Sequence, residues 1–203
     1  MGFYNTVILP RLLQFSMRSE MLAPYRRHVG AEARGRVLEI GVGSGANLAY
    51  YGPETIEVIG LEPSRPLLAM ARRAAAKAPR PVSLLEASAE SIPLDAASID
   101  TVVVTMTLCS IPDVARALSE MRRVLKPGGR LLFVEHGRAP DARVRAWQDR
   151  LTPFWRAVAG GCHLNRPMCV LIEEAGFRVE ALQESYLPGP RPLTYFYDGS
   201  ASR

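Results

Sequence analysis

Arg36-Val37-Leu38-Glu39-Ile40-Gly41-Val42-Gly43-Ser44-Gly45-Ala46-Asn47 decides the fold. Val37, Leu38 and Ile40 make a short apolar run around an acidic residue, and read as a strand buried on both faces, the kind found inside a parallel sheet. Three glycines follow at alternate positions. A Cβ there would clash or forbid the backbone angles of a tight turn, so bare backbone lies open to a ligand. The segment that follows from Asn47 is expected to begin with free N–H groups directed at that ligand. The stretch is a cradle for a nucleotide-type cofactor.

Working outward, strands and helices alternate. A second strand over 57–61 ends at Glu62-Pro63-Ser64, where Ser64 is placed to cap a helix carrying Leu67, Leu68, Ala71, Ala74, Ala75 and Ala78 on one stripe. Residues 82–87 read as strand three and the β-branched run 99–105 as strand four. Asp113 caps a helix through Val124 and Leu125, with Lys126 in its last turn, Pro127 as its stop and Gly128-Gly129 as the turn into strand five at 130–135. Residues 141–159 have helical spacing with a break expected at Pro153. Asn165 is placed to cap a further helix, with Pro167 in its first turn and Gly176 just past its end. Strands over 177–182 and 193–197 close the chain.

Upstream, residues 3–29 read as helical, with Leu13, Met17 and Met21 at four-residue spacing and Leu12 and Leu22 flanking them. That stripe suits a docking face, a lid over the cofactor site, or an interfacial helix touching lipid. The alternation predicts an α/β fold: one domain over 1–203, with a helical extension over 1–30 and a core over 31–203. That core is a doubly wound, mostly parallel seven-stranded sheet, its ligand outside the carboxyl ends of the strands.

Composition narrows the function classes. The chain has 203 residues, 48% hydrophobic and 22% charged, ordinary for a soluble globular domain. Three scattered cysteines, Cys109, Cys162 and Cys169, exclude a disulfide framework and fit a reducing cytoplasm. No run approaches a membrane span. The net charge of +5 comes partly from paired arginines, Arg26-Arg27, Arg72-Arg73 and Arg122-Arg123, read as solvated faces of helices. Aromatic residues do not interleave with them, so no nucleic-acid partner is expected. The basic N-terminal helix leaves peripheral membrane contact open.

Gly41-x-Gly43-x-x-Ala46, with Glu62 about 20 residues on, satisfies the dinucleotide fingerprint literally. A carboxylate at the end of strand two serves any adenosine ligand equally, because it accepts from both ribose hydroxyls. Gly45 and Glu39 separate the cofactors: a third glycine lets a methionine moiety lie along the loop, and Glu39 suits a cationic ligand while repelling a diphosphate.

Glu39-Ile40-Gly41-Val42-Gly43-Ser44-Gly45 resembles the E/D-x-G-x-G-x-G motif of class I S-adenosylmethionine-dependent methyltransferases. In register with it, Glu62-Pro63-Ser64 resembles the acidic end of that family's second strand. Ala89-Glu90-Ser91-Ile92-Pro93-Leu94 with Ser98-Ile99-Asp100, and Arg123-Val124-Leu125-Lys126-Pro127-Gly128-Gly129-Arg130, resemble its later motifs, so the likeness spans 36–135. It implies a Rossmann-like methyltransferase fold and S-adenosyl-L-methionine as cofactor. Glu62 would take the ribose hydroxyls, Glu39 and the loop 41–45 the methionine end, and Pro63, Ala89 and Glu90 the adenine. Ser88 stands where many members carry an acid that bonds the adenine amino group. Asn47, Ser64 and Thr105 complete the candidate cofactor set.

The acceptor is less legible, because transfer from a sulfonium needs alignment more than a general base. The end of strand four, Thr105-Met106-Thr107-Leu108-Cys109-Ser110, lacks the Asn/Asp-Pro-Pro-aromatic signature that grips a planar amino group. Thr107-Leu108-Cys109-Ser110, Glu135-His136 and Gly161-Cys162-His163-Leu164-Asn165-Arg166 resemble the alkyl-thiol S-methyltransferases and bacterial relatives, which shade into phosphatidylethanolamine and quinone methyltransferases. The resemblance implies a small apolar acceptor, a thiol or a lipid-like molecule. His136, at the carboxyl end of strand five, is the candidate base or acceptor-orienting group. Cys109 and Cys162 are candidates to line an acceptor pocket. No metal is expected, because Cys162 and Cys169 are spaced unlike a zinc pair. The competing class is an NAD-dependent oxidoreductase.

Overall fold

The computed structural model describes residues 4–17 and 19–203, so Phe3 and Arg18 of the expected N-terminal helix lie outside the described residues. Seven strands are β1 (Gly35–Ile40), β2 (Thr55–Leu61), β3 (Val82–Leu85), β4 (Ile99–Thr105), β5 (Leu125–His136), β6 (Arg178–Tyr186) and β7 (Tyr195–Ser202). They form one sheet in the order β3-β2-β1-β4-β5-β7-β6. All pairings from β3 to β5 are parallel, whereas β7 runs antiparallel to both β5 and β6. The helices are α1 (Leu9–Met17), α2 (Ala23–Glu32), α3 (Arg65–Ala75), α4 (Val114–Val124), α5 (Ala142–Val158) and α6 (Met168–Glu174).

Both faces of the sheet are covered, and the strand residues divide between them by alternation. Leu38, Ile40, Val102, Val104, Leu131 and Phe133 join one buried cluster with Leu118 and Met121 of α4 and Ile172 of α6. Val37, Val103, Leu132 and Val134 join the other, with Val29 of α2 and Ala71 of α3. This period of two, apolar on both sides, is why β1, β4 and β5 read as continuous apolar runs. The expected doubly wound, mostly parallel sheet is present.

Several local expectations change. Past the glycine loop, the N–H groups expected to be free are partly taken up by turns. Residues 46–50 form turns, with the Leu48 N–H donating to Gly45 O at 3.3 Å and the Tyr50 N–H to Asn47 O at 2.8 Å. The N-terminal helix is broken into a π-helical turn at Tyr4–Ile8, α1, a short 3₁₀ turn at Glu20–Leu22 and α2. Ser64 sits at the cap position of α3 without a side-chain bond. α4 ends at Val124, and Lys126-Pro127-Gly128-Gly129 bulges within β5, because Ile99 pairs with Leu125 while Thr101 already pairs with Arg130. Lys126 donates to Asp100 at 2.7 Å. Pro153 lies inside a continuous α5, and α6 starts after Pro167, leaving Asn165 to donate to Asp149 at 2.7 Å. Asp113 does cap α4, accepting from the Arg116 N–H at 3.0 Å, and Gly176 takes the left-handed conformation after α6 with φ 84°.

The paired arginines are not all solvated. Arg123 is anchored by the Leu94 and Ile92 carbonyls at 2.8 and 2.9 Å, and Arg26 is buried. Among the described residues, no helix is long and apolar enough to cross a membrane.

Candidate active site

The sheet order reverses between β1 and β4, and a crevice opens outside their carboxyl ends, as doubly wound sheets dictate. It is a cavity of about 930 Å³, within the range of sites for cofactor-sized ligands. Four of its polar groups stand at strand ends. Glu39 is the penultimate residue of β1, Glu62 follows β2, Ser88 to Glu90 follow β3, and Thr105 ends β4.

Glu62 is nearly buried, and its two oxygens accept from the Gly43 N–H at 3.1 Å and the Ser64 N–H at 2.9 Å. It therefore holds the glycine loop against the start of α3, while each oxygen keeps a lone pair for a ligand. Burial raises its pKa, offset by these two bonds. Glu39 is fully enclosed and accepts from the Tyr51 hydroxyl at 2.8 Å. Burial pushes its carboxyl up to about 7, against the opposing pull of the Tyr51 bond and the Arg26 charge.

Arg26 comes from α2 and was not anticipated as a site residue. It donates to Asn47 Oδ1 and to Met17 O, the latter at 2.6 Å. Asn47 in turn donates to Thr105 Oγ1 at 3.1 Å. One polar chain thus joins the helical extension, the loop and β4. No sequence signal distinguishes Arg26 from its exposed neighbour Arg27, because both sit in one helical pattern and only the docking of α2 decides which turns inward. Ser88 donates to Glu90 at 2.7 Å, and Glu90 also accepts from the Asp113 N–H at 2.8 Å.

The three glycines have separate reasons. A Cβ at Gly43, whose φ is 55°, would meet only Gly41 O at 3.8 Å, so this glycine leaves the cavity side open. Gly45 does not line the cavity. With φ 79°, a Cβ there would come within 2.7 Å of Ala74 Cβ, so this glycine lets α3 approach the loop. The sequence reading, which gave Gly45 to the ligand, is corrected by that contact. Gly41, Ser64, Pro63 and Ala89 do line the cavity.

Much of the remaining wall is apolar, although Gln14, Thr107 and Ser110 also line it. Leu9, Pro10, Leu13 and Met17 of α1 face Leu67, Met106, Ile111 and Pro112 across the opening. Met21, expected on the same stripe, is instead exposed. Met106 has φ 55°, an uncommon conformation for a side-chain-bearing residue. The turn it makes is held by Glu135, whose Oε1 accepts the N–H groups of Thr107 at 2.6 Å and Leu108 at 2.8 Å. His136 does not reach the cavity. It is buried behind that turn, with Nε2 at 2.9 Å from Cys162 Sγ, so the placement of strand five withdraws it from the acceptor-facing position expected of it. Cys109 and Cys162 are likewise buried behind the wall rather than lining it.

Comparison with known proteins bears on this geometry. The methyltransferase domain family matches residues 38–133. Thiol S-methyltransferase TMT1B of Rattus norvegicus is 32% identical over 178 residues, covering 86% of this chain and 72% of its own. Phosphatidylethanolamine N-methyltransferase of Cereibacter sphaeroides is 35% identical over 148 residues, covering 70% of this chain and 72% of its own. A solved S-adenosylmethionine-dependent methyltransferase of Thermotoga maritima superposes with a TM-score of 0.70 at 24% identity, covering 98% of this chain and 97% of that one. A strand-end carboxylate with free lone pairs, a glycine open to the ligand and an enclosed acid fit an adenosyl sulfonium. The dinucleotide alternative falls away. This chain belongs to the class I S-adenosylmethionine-dependent methyltransferases and is an enzyme of that family.

Proposed function

We propose that the enzyme methylates a small apolar acceptor, a thiol or a lipid-like molecule, that enters beneath α1. The observation that carries this is the division of the one cavity. Its strand-end half is polar, with Glu39, Arg26, Asn47, Glu62, Ser88 and Glu90. The part under α1 is mostly apolar, with Leu9, Leu13, Met17, Met106 and Ile111 beside Gln14. Bound S-adenosylmethionine supplies an electrophilic methyl group on a sulfonium. In this reading Glu62 holds the ribose hydroxyls, Glu39 and Asn47 orient the cationic methionine end, and Ser88, Ala89 and Glu90 border the adenine. Helix α1 acts as a lid that excludes water.

Exposed apolar residues of α1 and α5 support an acceptor drawn from an apolar phase. Leu12 and Phe15 of α1 and Phe154 and Val158 of α5 are exposed, and Leu9 and Leu13 approach Gly160 just beyond α5. Such a face suits peripheral contact with a membrane surface. The names of the relatives quoted above support a thiol first and a phospholipid second.

The test is a panel of alkyl thiols, phospholipids in vesicles, quinols and polar amines with cofactor labelled in its methyl group. Label is expected in the thiols or the vesicle lipids, and transfer confined to polar amines overturns the reading.

Glu39 adds a pH signature. Its carboxyl, at about 7 in the folded chain, binds more protons than in the unfolded chain, where it titrates at 4.5. Its contribution to stability is therefore present below 4.5 and lost as pH rises through about 7. Cofactor affinity runs the other way, since the cationic end needs the ionised acid. Titration calorimetry is expected to show about tenfold tighter S-adenosylhomocysteine binding at pH 8 than at pH 6, a slope that Glu39→Gln flattens. A flat wild-type profile would count against Glu39 as the recognising group.

A further inference from the structure

We infer that Cys109, His136 and Cys162 form a binding site for a thiophilic divalent cation, zinc foremost, behind the wall of the cofactor cavity. The three residues come from the turn after β4, the end of β5 and the loop after α5, and all three are buried. Their ligand atoms, two Sγ and one imidazole nitrogen, lie within 4.8 Å of one another. Zinc bonds of about 2.3 Å to sulfur and about 2.0 Å to nitrogen give tetrahedral ligand-to-ligand edges of about 3.5–3.8 Å. The cluster reaches those edges by side-chain adjustments of about 1 Å or less.

The backbone around the cluster is already tied down. The His163 N–H donates to Cys109 O at 2.8 Å, joining the loops that carry the two cysteines. Arg166 donates to Leu108 O, and Glu135 Oε1 holds the Thr107 and Leu108 N–H groups. A site preorganised in this way loses little conformational freedom when an ion arrives.

The charges around the cluster are compatible with such an ion. Glu135 is completely buried, and its Oε2 has no hydrogen-bond partner. An orphaned buried carboxylate oxygen is costly unless positive charge lies near it. Arg166 offers one such charge and interacts with Glu135 and with both cysteines. A dication bound by two thiolates is itself neutral, and Glu135 and Arg166 then balance each other. Two sulfurs and one imidazole select soft and borderline ions over magnesium or calcium.

Three protein ligands leave a fourth position, the pattern of a reactive rather than a purely structural zinc site. Ser110 Oγ stands 3.5 Å from Cys109 Sγ, and Ser110 also lines the cofactor cavity. The ion would therefore sit one residue behind that wall. Cys169, only half buried, takes no part.

The test uses the full chain, reduced and metal-free, titrated with zinc chloride against a chromogenic chelator. One equivalent is expected to bind. X-ray absorption of that wild-type complex is expected to show two sulfur ligands and one histidine nitrogen, a readout that needs no variant to fold. Cys162→Ser and His136→Ala should each weaken binding by at least ~100-fold, beyond the ~10–100-fold typical of residues that only support a ligand. Cys169→Ser should leave binding unchanged. Failure to bind one equivalent, fewer than two sulfur ligands, or full affinity in a folded His136→Ala protein would each overturn the assignment.

Discussion

Glu62→Ala is expected to weaken S-adenosylmethionine binding by at least ~100-fold and to remove methyl transfer at ordinary cofactor concentrations. The carboxylate has one lone pair free on each oxygen after accepting from Gly43 and Ser64. Two charge-assisted bonds to ribose hydroxyls contribute roughly 1.5–3 kcal/mol each, and a loss of about 3 kcal/mol is already about 10²-fold in affinity. The truncation also leaves two loop N–H groups without their acceptor, loosening the segment on which the methionine end rests. Glu62→Gln keeps a carbonyl for one of these N–H groups and should bind more tightly than the alanine variant. Calorimetry measures both, and melting curves establish that the variants are folded. Affinity equal to wild type in Glu62→Ala would remove the ribose role.

Gly45→Ala should separate fold from ligand. A Cβ placed 2.7 Å from Ala74 Cβ and 3.0 Å from Leu48 must push α3 off the loop. Overpacking of this kind costs about 1–3 kcal/mol, and the left-handed conformation at φ 79° adds about 1–2 kcal/mol for any residue with a Cβ. The ligand-free protein is therefore expected to melt roughly 5–15 °C lower, at about 2–4 °C per kcal/mol for a domain of this size. Gly43→Ala carries the conformational cost alone, because its Cβ meets only Gly41 O at 3.8 Å. It should melt closer to wild type yet lose cofactor affinity, since the new methyl occupies the ligand's side. Equal melting temperatures with equal losses of affinity would mean that both glycines serve the ligand.

The likeness to thiol and phospholipid methyltransferases and the divided cavity address different parts of the reaction. The polar half follows mostly from strand ends, with Arg26 and Asn47 added by α2 and the segment after the glycine loop. The apolar half depends on α1, which reaches the site through its packing on the loop after α5. Acceptor choice in this chain should therefore be altered by substitutions in α1 and in the turn at Met106 more readily than by changes in the glycine loop.

The sequence by itself determined the sheet, the glycine cradle and the acid at the end of β2, because these rest on interactions close along the chain. Alternation of apolar residues makes a strand, a glycine permits a turn, and a residue at a strand end must lie at the crevice. Such rules also located β4 to the residue and the Asp113 cap. They erred where distant segments compete. Lys126-Pro127-Gly128-Gly129 reads as a helix stop and turn, but pairing of Leu125 and Arg130 with β4 draws it into β5 as a bulge. Gly45 looks like its two neighbours until α3 is laid against it.

Only the tertiary structure decided that Arg26 turns inward to Asn47, that His136 withdraws from the cavity, and that Cys109, His136 and Cys162 meet. Each depends on the docking of elements far apart in the chain, and close packing makes that docking a property of the whole core rather than of any short stretch.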